Sequence, residues 1–297
     1  MDVSFIIVNW NTKKLLEQAI ASIYKFATGI TYEIIVIDNN SEDGSPAMVK
    51  KKFPKVKLIQ NRENLGFAKA NNQGIKKALG EFIFLFNSDA YLIDDSIGKL
   101  IQRARQLPSL GAIAPLILNE DRSIQQSVGY NPDLLRIILW MSFIDDLPFG
   151  DFLKPYHVDH DRFYKKEHQV DWLTGAALMV PKKVIAKVGS LDPNIFMYGE
   201  DVDWCLRIKL AGFNIYFSPL AKLVHIGRGS AGKVSKNAIL GEYKGIIYIY
   251  KKHKSEFSLQ ILRLLLKIGA LVRIFAFTIF GRKETANFYV EALKVAR

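Results

Sequence analysis

The sequence predicts an α/β protein in which a mostly parallel sheet is flanked by helices. Short β-branched runs at residues 3–8 and 33–38 enclose a segment of helical spacing at 13–26, and this alternation recurs through residues 81–86. Polar residues follow the ends of these strands. Strands that alternate with helices favour parallel pairing, with helices on both faces of the sheet. At 297 residues, 49% of them apolar, the chain can form one large domain or a catalytic domain with a smaller appendage.

The individual elements follow from the spacing of apolar residues along the chain. Apolar runs predict strands over residues 3–8, 33–38, 56–60, 81–86, 111–115, 170–180 and 214–217. Helical spacing predicts helices over residues 13–26, 46–52, 68–79, 96–106, 182–188 and 201–211. Residues 119–168 lack a clear period, which indicates a hairpin followed by an irregular insertion. We therefore predict one domain over 1–230, with halves at 1–118 and 119–230, and a helical segment over 231–297.

The net charge and the cysteine content indicate which binding partners and which cellular compartment fit this chain. A net charge of +12 favours nucleic acid, anionic lipid or phosphorylated ligands, and charge alone does not choose among them. The basic cluster at residues 251–254 borders an apolar segment and not an aromatic one, which favours an anionic membrane surface over nucleic acid. Cys205 is the only cysteine, so neither a disulfide framework nor a cysteine-based zinc site is expected. The N-terminal apolar run is too short for a signal peptide, and the reducing cytosol fits best.

The segment at residues 258–275 is apolar apart from a few spaced charges. On a helix Gln260, Arg263 and Lys267 fall on one narrow stripe, with Arg273 to its side. Three cations interrupt the roughly 20 uncharged residues that a membrane-spanning helix requires. A helix lying in the membrane interface fits better, and a helix packed on the rest of the protein is the alternative.

Candidate ligand-binding residues follow the predicted strands. Ligands of open α/β sheets bind outside the carboxyl ends of the strands, where Asn9 and Asn11 follow the first strand and Asp38 and Asn40 follow the second. The Asp38 carboxylate can accept a hydrogen bond from a base or a ribose. On its own this loop is better explained as an ordinary polar turn, since Asn, Ser, Asp and Gly are the residues that turns use.

A second polar run leads into the helix predicted at residues 68–79. Gly66, which follows Asn64, permits close backbone approach, and a phosphate or sugar can meet backbone amides at the positive end of a helix. A capped surface helix is the alternative. Asn71 and Asn72 weigh against it, because asparagine is a mediocre helix former and two in succession indicate a polar ligand.

Two further residues suit a divalent cation. Asp89, in the triplet formed with Asn87 and Ser88, follows an apolar strand that holds its carboxylate at a rigid end, and hard carboxylate oxygens bind Mg²⁺ or Mn²⁺. His225 precedes a glycine-rich stretch containing Arg228, which suits a loop folding over a diphosphate while the imidazole completes the metal shell or contacts phosphate. A lone histidine is more often structural, and the triplet by itself is common.

Three carboxylates open the helix predicted at residues 201–211. A capping role is the simple explanation, because the helix dipole favours negative charge at this end. Glu200 and Asp203 share one face, however, and Asp201 points elsewhere, so one acid can face a substrate while Asp203 pairs with Arg207 four residues on. A general base must lie within hydrogen-bond reach of the group it deprotonates, and Asp201 is the candidate.

Taken together these segments resemble the family 2 glycosyltransferases of the GT-A fold, most closely the rhamnosyltransferase-like bacterial enzymes. The resemblance spans residues 1–230 and rests on the order and spacing of the segments at residues 8–11, 38–45, 64–68, 71–74, 87–89, 172–176 and 199–207. It implies a GT-A nucleotide-diphospho-sugar transferase fold followed by C-terminal amphipathic helices. It also implies that the anomeric centre is inverted in a single displacement, without a covalent nucleophile.

The resemblance assigns roles residue by residue. It implies that the nucleotide sugar contacts Val8, Asn9, Asn11, Asp38, Asn40, Asn64, Gly66, Asn71, Asn87, Ser88 and Asp89. Asp89 and His225 would bind the Mg²⁺ or Mn²⁺, Asp201 would be the base with Glu200 beside it, and Trp172, Gly175 and Glu200 would line the acceptor side. Asn87 departs from the Asp-x-Asp motif at its first position, and core packing is the alternative for Trp172 and Gly175.

The expected reaction transfers a sugar from a UDP- or dTDP-sugar to a hydroxyl of a saccharide or lipid-linked saccharide, at the cytoplasmic face of the cell membrane. A sugar-phosphate nucleotidyltransferase would require a basic glycine-rich loop after the first strand, and an NAD-dependent oxidoreductase a Gly-x-Gly-x-x-Gly motif; the chain has neither at those places. A non-catalytic, membrane-associated binding subunit with the same fold is the third alternative. Retention of both Asp89 and Asp201 argues against that alternative.

Overall fold

The computed structural model describes residues 1–144, 153–227 and 235–296. Its strands are β1 Val3–Asn9, β2 Tyr32–Asp38, β3 Lys57–Gln60, β4 Phe82–Phe86, β5 Ala90–Leu92, β6 Leu110–Leu118, β7 Val128–Gly129, β8 His168–Val170, β9 Trp172–Leu173, β10 Ala177–Pro181 and β11 Asn214–His225. Its helices are α1 Lys13–Phe26, α2 Ser45–Lys52, α3 Gly66–Lys77, α4 Ile97–Gln106, α5 Leu134–Met141, α6 Lys182–Val188, α7 Glu200–Leu210, α8 Lys236–His253, α9 Glu256–Ile279 and α10 Lys283–Val295.

Nine of these strands form one mixed sheet within the described residues. The hydrogen-bonded order is β3-β2-β1-β4-β10-β6-β11-β5, and β8 pairs with β11 off this path. The first four strands of the chain are parallel, as the alternation of strands and helices predicted. β10 enters antiparallel between β4 and β6, and β5 and β8 also pair antiparallel with β11. The α/β fold with its helix-flanked sheet is thus confirmed.

The stretch at residues 170–180, predicted as one strand, is three short strands because it changes partner twice. β8 pairs with β11, β9 forms a separate two-stranded sheet with β7, and β10 joins β4. Backbone bonds from Asp171 to Gly129 and from Thr174 to Ser127 hold β9 on β7. The turn at Thr174 and Gly175 then carries the chain to the carboxyl end of β4, where Ala177 pairs with Phe86.

Both faces of the sheet are covered, which explains the nearly continuous apolar strands. Phe5 and Ile7 of β1 belong to a core shared with α1 and α4, whereas Ile6 belongs to a core shared with α3, α7 and the C-terminal helices. Parallel strands buried on two faces read as apolar runs and not as alternating patterns. The polar residues that interrupt these runs therefore mark the strand ends.

The C-terminal helices pack on the rest of the protein through one face of α9. α9 contacts α5, α8 and α10, and a Cβ atom on Gly269 would lie 2.4 Å from Met141 Sδ. Arg273, expected beside a solvent-facing polar stripe, is buried and donates hydrogen bonds to the carbonyl oxygens of Met141 at 2.7 Å and Trp140 at 2.5 Å. The expectation for Arg273 is therefore wrong. Its guanidinium group can be buried because backbone carbonyl groups at the end of α5 accept its hydrogen bonds.

The opposite face of α9 presents apolar side chains to solvent. The exposed residues recur at helical spacing and are Leu264, Ile268, Leu271, Phe275 and Ile279. α9 is therefore apolar on two faces, and only one of them is covered by the described residues. None of the helices in the described part of the chain is long and apolar enough to cross a bilayer. The predicted boundary at residue 230 lies outside the described residues.

Candidate active site

The ends of β1 and β2 are joined by a buried polar network. Asn9, in register with Asp38, donates from Nδ2 to Asp38 Oδ1 at 2.8 Å and to Ser41 Oγ at 3.0 Å. Asp38 Oδ2 accepts from the Ser41 amide at 2.9 Å, and the residue is only 1% exposed. The network shapes the loop at this edge of the sheet. Both carboxylate oxygens of Asp38 thus accept hydrogen bonds from the protein. A direct contact between Asp38 and a nucleoside stays a prediction.

The two asparagines flanking this network have left-handed backbone conformations. Asn11 has φ of +54° and accepts the Glu42 amide on Oδ1 at 2.8 Å, and Asn40 has φ of +62° and is exposed. Asparagine tolerates this region better than most residues. Val8 lies partly buried near the end of β1, and nucleotide contacts of all three residues stay predictions.

Gly66 is required by a protein contact. It has φ of +79°, and a Cβ atom would lie 2.6 Å from Phe196 Cδ2 and 2.7 Å from the Phe196 carbonyl oxygen. The Phe67 amide donates to that carbonyl at 2.8 Å, and Asn64 Oδ1 accepts from the Gly66 amide at 2.9 Å. The expected close approach at the start of α3 is therefore made by Phe196. No ligand is needed to explain the glycine.

Asn71 and Asn72 have structural partners, contrary to the argument that two asparagines indicate a ligand. Asn71 is buried and donates to the Phe67 carbonyl at 3.0 Å. Asn72 makes two hydrogen bonds with the Leu191 backbone, at 2.7 and 3.1 Å. Their amides satisfy buried backbone groups, so their poor helix propensity has a packing explanation.

Asp89 and His225 meet at the end of β4. His225 Nε2 lies 3.2 Å from Asp89 Oδ1 and 3.1 Å from Asn87 Nδ2. Burial acts to raise the pKa of Asp89, but the hydrogen bond and charge of His225 and nearby backbone amides outweigh it, and the pKa is below its usual value. Asp89 is therefore ionised at neutral pH. Ser88 Oγ lies 2.9 Å from Thr12 Oγ1, which ties this turn to the first loop.

Gln125 orients the His225 ring from the other side. Its Oε1 lies 2.6 Å from His225 Nδ1, while its Nε2 donates to Asn119 at 2.8 Å and to the His225 carbonyl at 3.1 Å. Nδ1 therefore donates to the amide oxygen, and Nε2 faces Asp89. Neither Gln125 nor this orientation was predicted from the sequence. The loop with Arg228 that was expected over the diphosphate lies outside the described residues.

The donor set at this point fits a cation that is also held by substrate. Among the described residues no cluster of three or more His, Cys, Asp or Glu side chains is placed to hold a metal. Mg²⁺ typically takes one or two carboxylates from the protein and completes its shell with phosphate oxygens and water. One ionised carboxylate and one oriented imidazole satisfy the protein's share of such a shell.

Asp201 lies in the first turn of α7 and is held by backbone amides. Its Oδ2 accepts from the Gly175 amide at 2.9 Å, and its Oδ1 accepts from the Val202 amide at 2.8 Å. Burial raises the pKa of Asp201 above its usual value, although these amides act against it. Burial and the neighbouring Asp201 charge raise the pKa of Glu200 to about 8. A carboxylate with a raised pKa is a stronger base than one in water.

Two hydrogen bonds connect the turn that carries Asp89 to Asp201. The Asn87 amide donates to the Ala176 carbonyl at 3.0 Å, and the adjacent Gly175 amide donates to Asp201. Gly175 faces the Phe67 ring, 3.1 Å from where its Cβ would be, and leaves room for Asp201. The two acids, 112 residues apart in the sequence, therefore share the same edge of the sheet.

Asp203 has structural partners and does not belong to the group formed by Asp89 and Asp201. Its carboxylate is fully buried and accepts from Arg207, as predicted, and also from Lys252 and His253 of α8. Lys252 additionally contacts Asp192 at 2.6 Å. Half of the basic cluster at residues 251–254 thus stabilises the docking of α8, while Lys251 and Lys254 are exposed.

Trp172, proposed for the acceptor side, is buried in an aromatic cluster. Its Nε1 donates to the Tyr156 carbonyl at 2.9 Å, and its ring packs on Tyr156 and His157. Tyr156 and His157 were not singled out, because they lie in the stretch without a period. Glu242 of α8, which contacts His157, was missed for a different reason: nothing in its local pattern distinguishes it from a solvated helix face.

Comparison with known proteins gives consistent matches. Residues 4–173 match the model of the family described as Glycosyl transferase family 2. The chain is 29% identical over 251 residues to an N-acetylglucosaminyl-diphospho-decaprenol L-rhamnosyltransferase of Mycobacterium tuberculosis, covering 80% of each chain. It is 27% identical over 230 residues to the low-salt glycan biosynthesis hexosyltransferase Agl10 of Haloferax volcanii, covering 75% of this chain and 67% of that one.

Solved structures share the fold. The mannosyltransferase PcManGT of Pyrobaculum calidifontis, in complex with GDP-Man and Mn²⁺, matches with a TM-score of 0.61 at 15% identity over 98% of this chain and 85% of that one. GalNAc-T7 with UDP, GalNAc and Mn²⁺ matches with a TM-score of 0.63 at 16% identity, over 90% of this chain and 51% of that one.

Proposed function

The chain belongs to glycosyl transferase family 2 and is a glycosyltransferase with the GT-A fold, and from this premise we propose that it transfers a sugar from a UDP- or dTDP-sugar to an acceptor hydroxyl with inversion. The acceptor oxygen attacks the anomeric carbon, the bond from that carbon to the diphosphate oxygen breaks, and Asp201 takes the acceptor proton. The nucleoside diphosphate leaves. A single displacement of this kind needs one base and stabilisation of the leaving group.

The observation that carries the proposal is the joint position of Asp89 and Asp201. An ionised carboxylate beside an oriented imidazole supports binding of the divalent cation that would accompany the diphosphate, and a carboxylate of raised pKa lies across the Ala176–Gly175 turn from it. Mn²⁺ or Mg²⁺ bound by Asp89 and His225 would neutralise charge on the departing diphosphate. The two neighbouring structures that contain Mn²⁺ support this choice of ion.

A lipid-linked saccharide is the proposed acceptor. The relative from Mycobacterium tuberculosis acts, by its name, on a decaprenol-linked diphospho-sugar. The exposed apolar face of α9, with Phe275 at 70% exposure, supports peripheral binding to a membrane that carries such an acceptor. Lys251, Lys254 and the overall net charge of +12 favour an anionic surface.

Release of nucleoside diphosphate tests the reaction. UDP- and dTDP-sugars are offered with octyl glycosides, with Mn²⁺, with Mg²⁺ and with chelator. We expect release that depends on metal, Asp89→Ala to be nearly inactive, and Asp201→Asn to lose about 10²- to 10⁴-fold in turnover, the contribution typical of a general base. Full activity in Asp201→Asn would remove the base assignment. No release with any donor would favour the non-catalytic subunit.

Sedimentation with vesicles tests the membrane proposal separately. Phe275→Ser should weaken binding to vesicles containing anionic lipid, because it removes a large apolar side chain from the exposed face of α9. Leu79→Ser is the matched control, since Leu79 is also exposed but lies outside the C-terminal helices. Equal binding by both variants and the unaltered protein would contradict a role for α9.

A further inference from the structure

Helix α8 docks directly on the segment that leads into the catalytic helix α7. Gly245 approaches so closely that a Cβ atom would lie 2.6 Å from the Tyr198 carbonyl oxygen, and at Gly241 a Cβ atom would lie 2.3 Å from Tyr198 Cδ2. Gly199 packs in turn on Gly245, because a Cβ atom on Gly199 would lie 2.8 Å from the Gly245 Cα. These glycines bring the next side chain of α8, Glu242, to the region of Asp201.

Glu242 is paired with a histidine on an aromatic platform. Its Oε1 lies 2.7 Å from His157 Nε2. The His157 ring stacks on Trp140 at 5.5 Å and 12°, and meets Trp172 edge-on at 5.4 Å. The side chains of Glu242 and His157 keep 26% and 30% of their surface accessible. Part of each side chain is therefore accessible to a small molecule, although His157 Nε2 itself is covered.

Neighbouring protein atoms cover about three quarters of the Glu242 side chain and about 70% of the His157 side chain. Burial raises the pKa of Glu242 to about 8; Arg273 opposes this and the Asp201 charge adds to it. Burial lowers the pKa of His157 to about 4. At neutral pH the pair then carries no net charge. An uncharged polar pair beside aromatic rings suits sugar hydroxyls better than phosphate.

A second observation points to a ligand at this place. Glu200, the first residue of α7, is 5% exposed, and its Oε2 has no hydrogen-bond partner among the described residues. A buried polar atom without a partner is costly unless a ligand or water satisfies it. Glu200 stands next to Asp201, and the Asp201 charge acts on both Glu200 and Glu242, so the three carboxyl groups belong to one region of the protein.

We propose that Glu242, His157 and Trp140 form the subsite that binds the acceptor saccharide beside Asp201. The Glu242 carboxyl and Nδ1 of His157 hydrogen-bond to hydroxyls of one pyranose ring, whose apolar face packs against the edge of the aromatic cluster. This assignment rests on the proposed function. It makes α8 part of the substrate site, whereas the sequence indicated only a C-terminal helical appendage.

Steady-state kinetics with the full chain test the subsite. The acceptor is the octyl glycoside that supports the fastest transfer; its KM is measured at saturating donor, and the donor KM is measured at saturating acceptor. Glu242→Gln and His157→Gln should raise the acceptor KM about tenfold or more, because each removes or weakens hydrogen bonds to the bound sugar. The donor KM should stay within about twofold of the unaltered protein in both variants, and Lys244→Ala, a change at an exposed residue of the same helix, should leave both KM values within that range.

A rise in the acceptor KM at an unchanged donor KM distinguishes loss of acceptor binding from a general structural effect. An unchanged acceptor KM in both variants would overturn the subsite, and so would a parallel rise in donor and acceptor KM at unchanged melting temperature. If the unaltered protein cleaves no donor, the proposed function fails instead, whatever the variants do. Transfer by the unaltered protein with no response of the acceptor KM in either variant rejects only the subsite.

Discussion

Asp203 of α7 accepts hydrogen bonds from two side chains of α8, and its replacement by asparagine should destabilise the whole protein. The carboxylate accepts from Arg207 Nε at 2.8 Å, from Lys252 Nζ at 2.9 Å and from His253 Nε2 at 2.8 Å. Asp203→Asn keeps the shape but removes the negative charge. Three donors, two of them always cationic, are then left facing a neutral amide.

The size of the effect follows from burial. Removing one partner of a buried ion pair typically costs about 3–5 kcal/mol, and the partial exposure of Arg207 and Lys252 places this case near about 3 kcal/mol. A chain of 297 residues has an unfolding entropy of about 0.6 kcal/mol/K, so the melting temperature should fall by about 5 °C at pH 7.

The ion pairs of Asp203 also make the stability of the protein depend on pH. Burial acts to raise the pKa of Asp203, but hydrogen bonds from His253, Lys252 and Arg207 outweigh it, and the pKa lies below its usual value of 3.8. A carboxylate whose pKa is depressed on folding stabilises the protein above its unfolded pKa and loses that contribution as the pH falls through the folded pKa. The difference in melting temperature between the two proteins should therefore shrink below about pH 4.

Differential scanning fluorimetry across pH 3 to 8 measures both effects. Glu291→Gln is the control, because the Glu291–Lys236 pair is exposed and such pairs contribute at most about 1 kcal/mol. If Asp203→Asn melts within 1 °C of the unaltered protein at pH 7, the network does not hold α8 in place. A difference that persists undiminished at pH 3 would also refute the electrostatic explanation.

Three further outcomes are expected. Transfer should decline on acidification through the raised pKa of Asp201, and Glu200→Gln should leave this acid limb in place, because Glu200 with a pKa of about 8 is already protonated there; pH profiles of kcat/KM check this, and a limb that moves to lower pH would show that Glu200 is charged beside the base. Gly66→Ala should cost about 1–3 kcal/mol in urea unfolding, since both the positive φ and the surrounding atoms exclude a side chain, whereas a stability loss below 0.5 kcal/mol would show that the contact yields easily. Gln125→Leu should weaken Mn²⁺ binding in the presence of nucleoside diphosphate about 10- to 100-fold by calorimetry, because it releases Nδ1 of His225; unchanged affinity would exclude the histidine as a ligand.

Local pattern in the sequence was enough to predict the α/β sheet and the edge where its polar residues gather. β1 was predicted at residues 3–8 and runs Val3–Asn9, and Lys13–Phe26 matches α1 at both ends. The reason is physical: a strand buried on two faces must be apolar along its length, so polar residues can only begin where it ends. The pairing of Asp203 with Arg207 was also predictable, because residues four apart meet on one helix face.

Tertiary structure alone decided which of those polar residues face a cleft and which support the backbone. Asn71 and Asn72 satisfy carbonyl and amide groups, and Gly66 accommodates Phe196, 130 residues away in the sequence. Glu242 is within reach of His157 only because α8 docks on Tyr198. The hydrophobic periodicity of a sequence indicates whether a side chain is buried, but it does not identify the residues that bury it. The partner of a buried group is set by contacts between segments far apart in the chain.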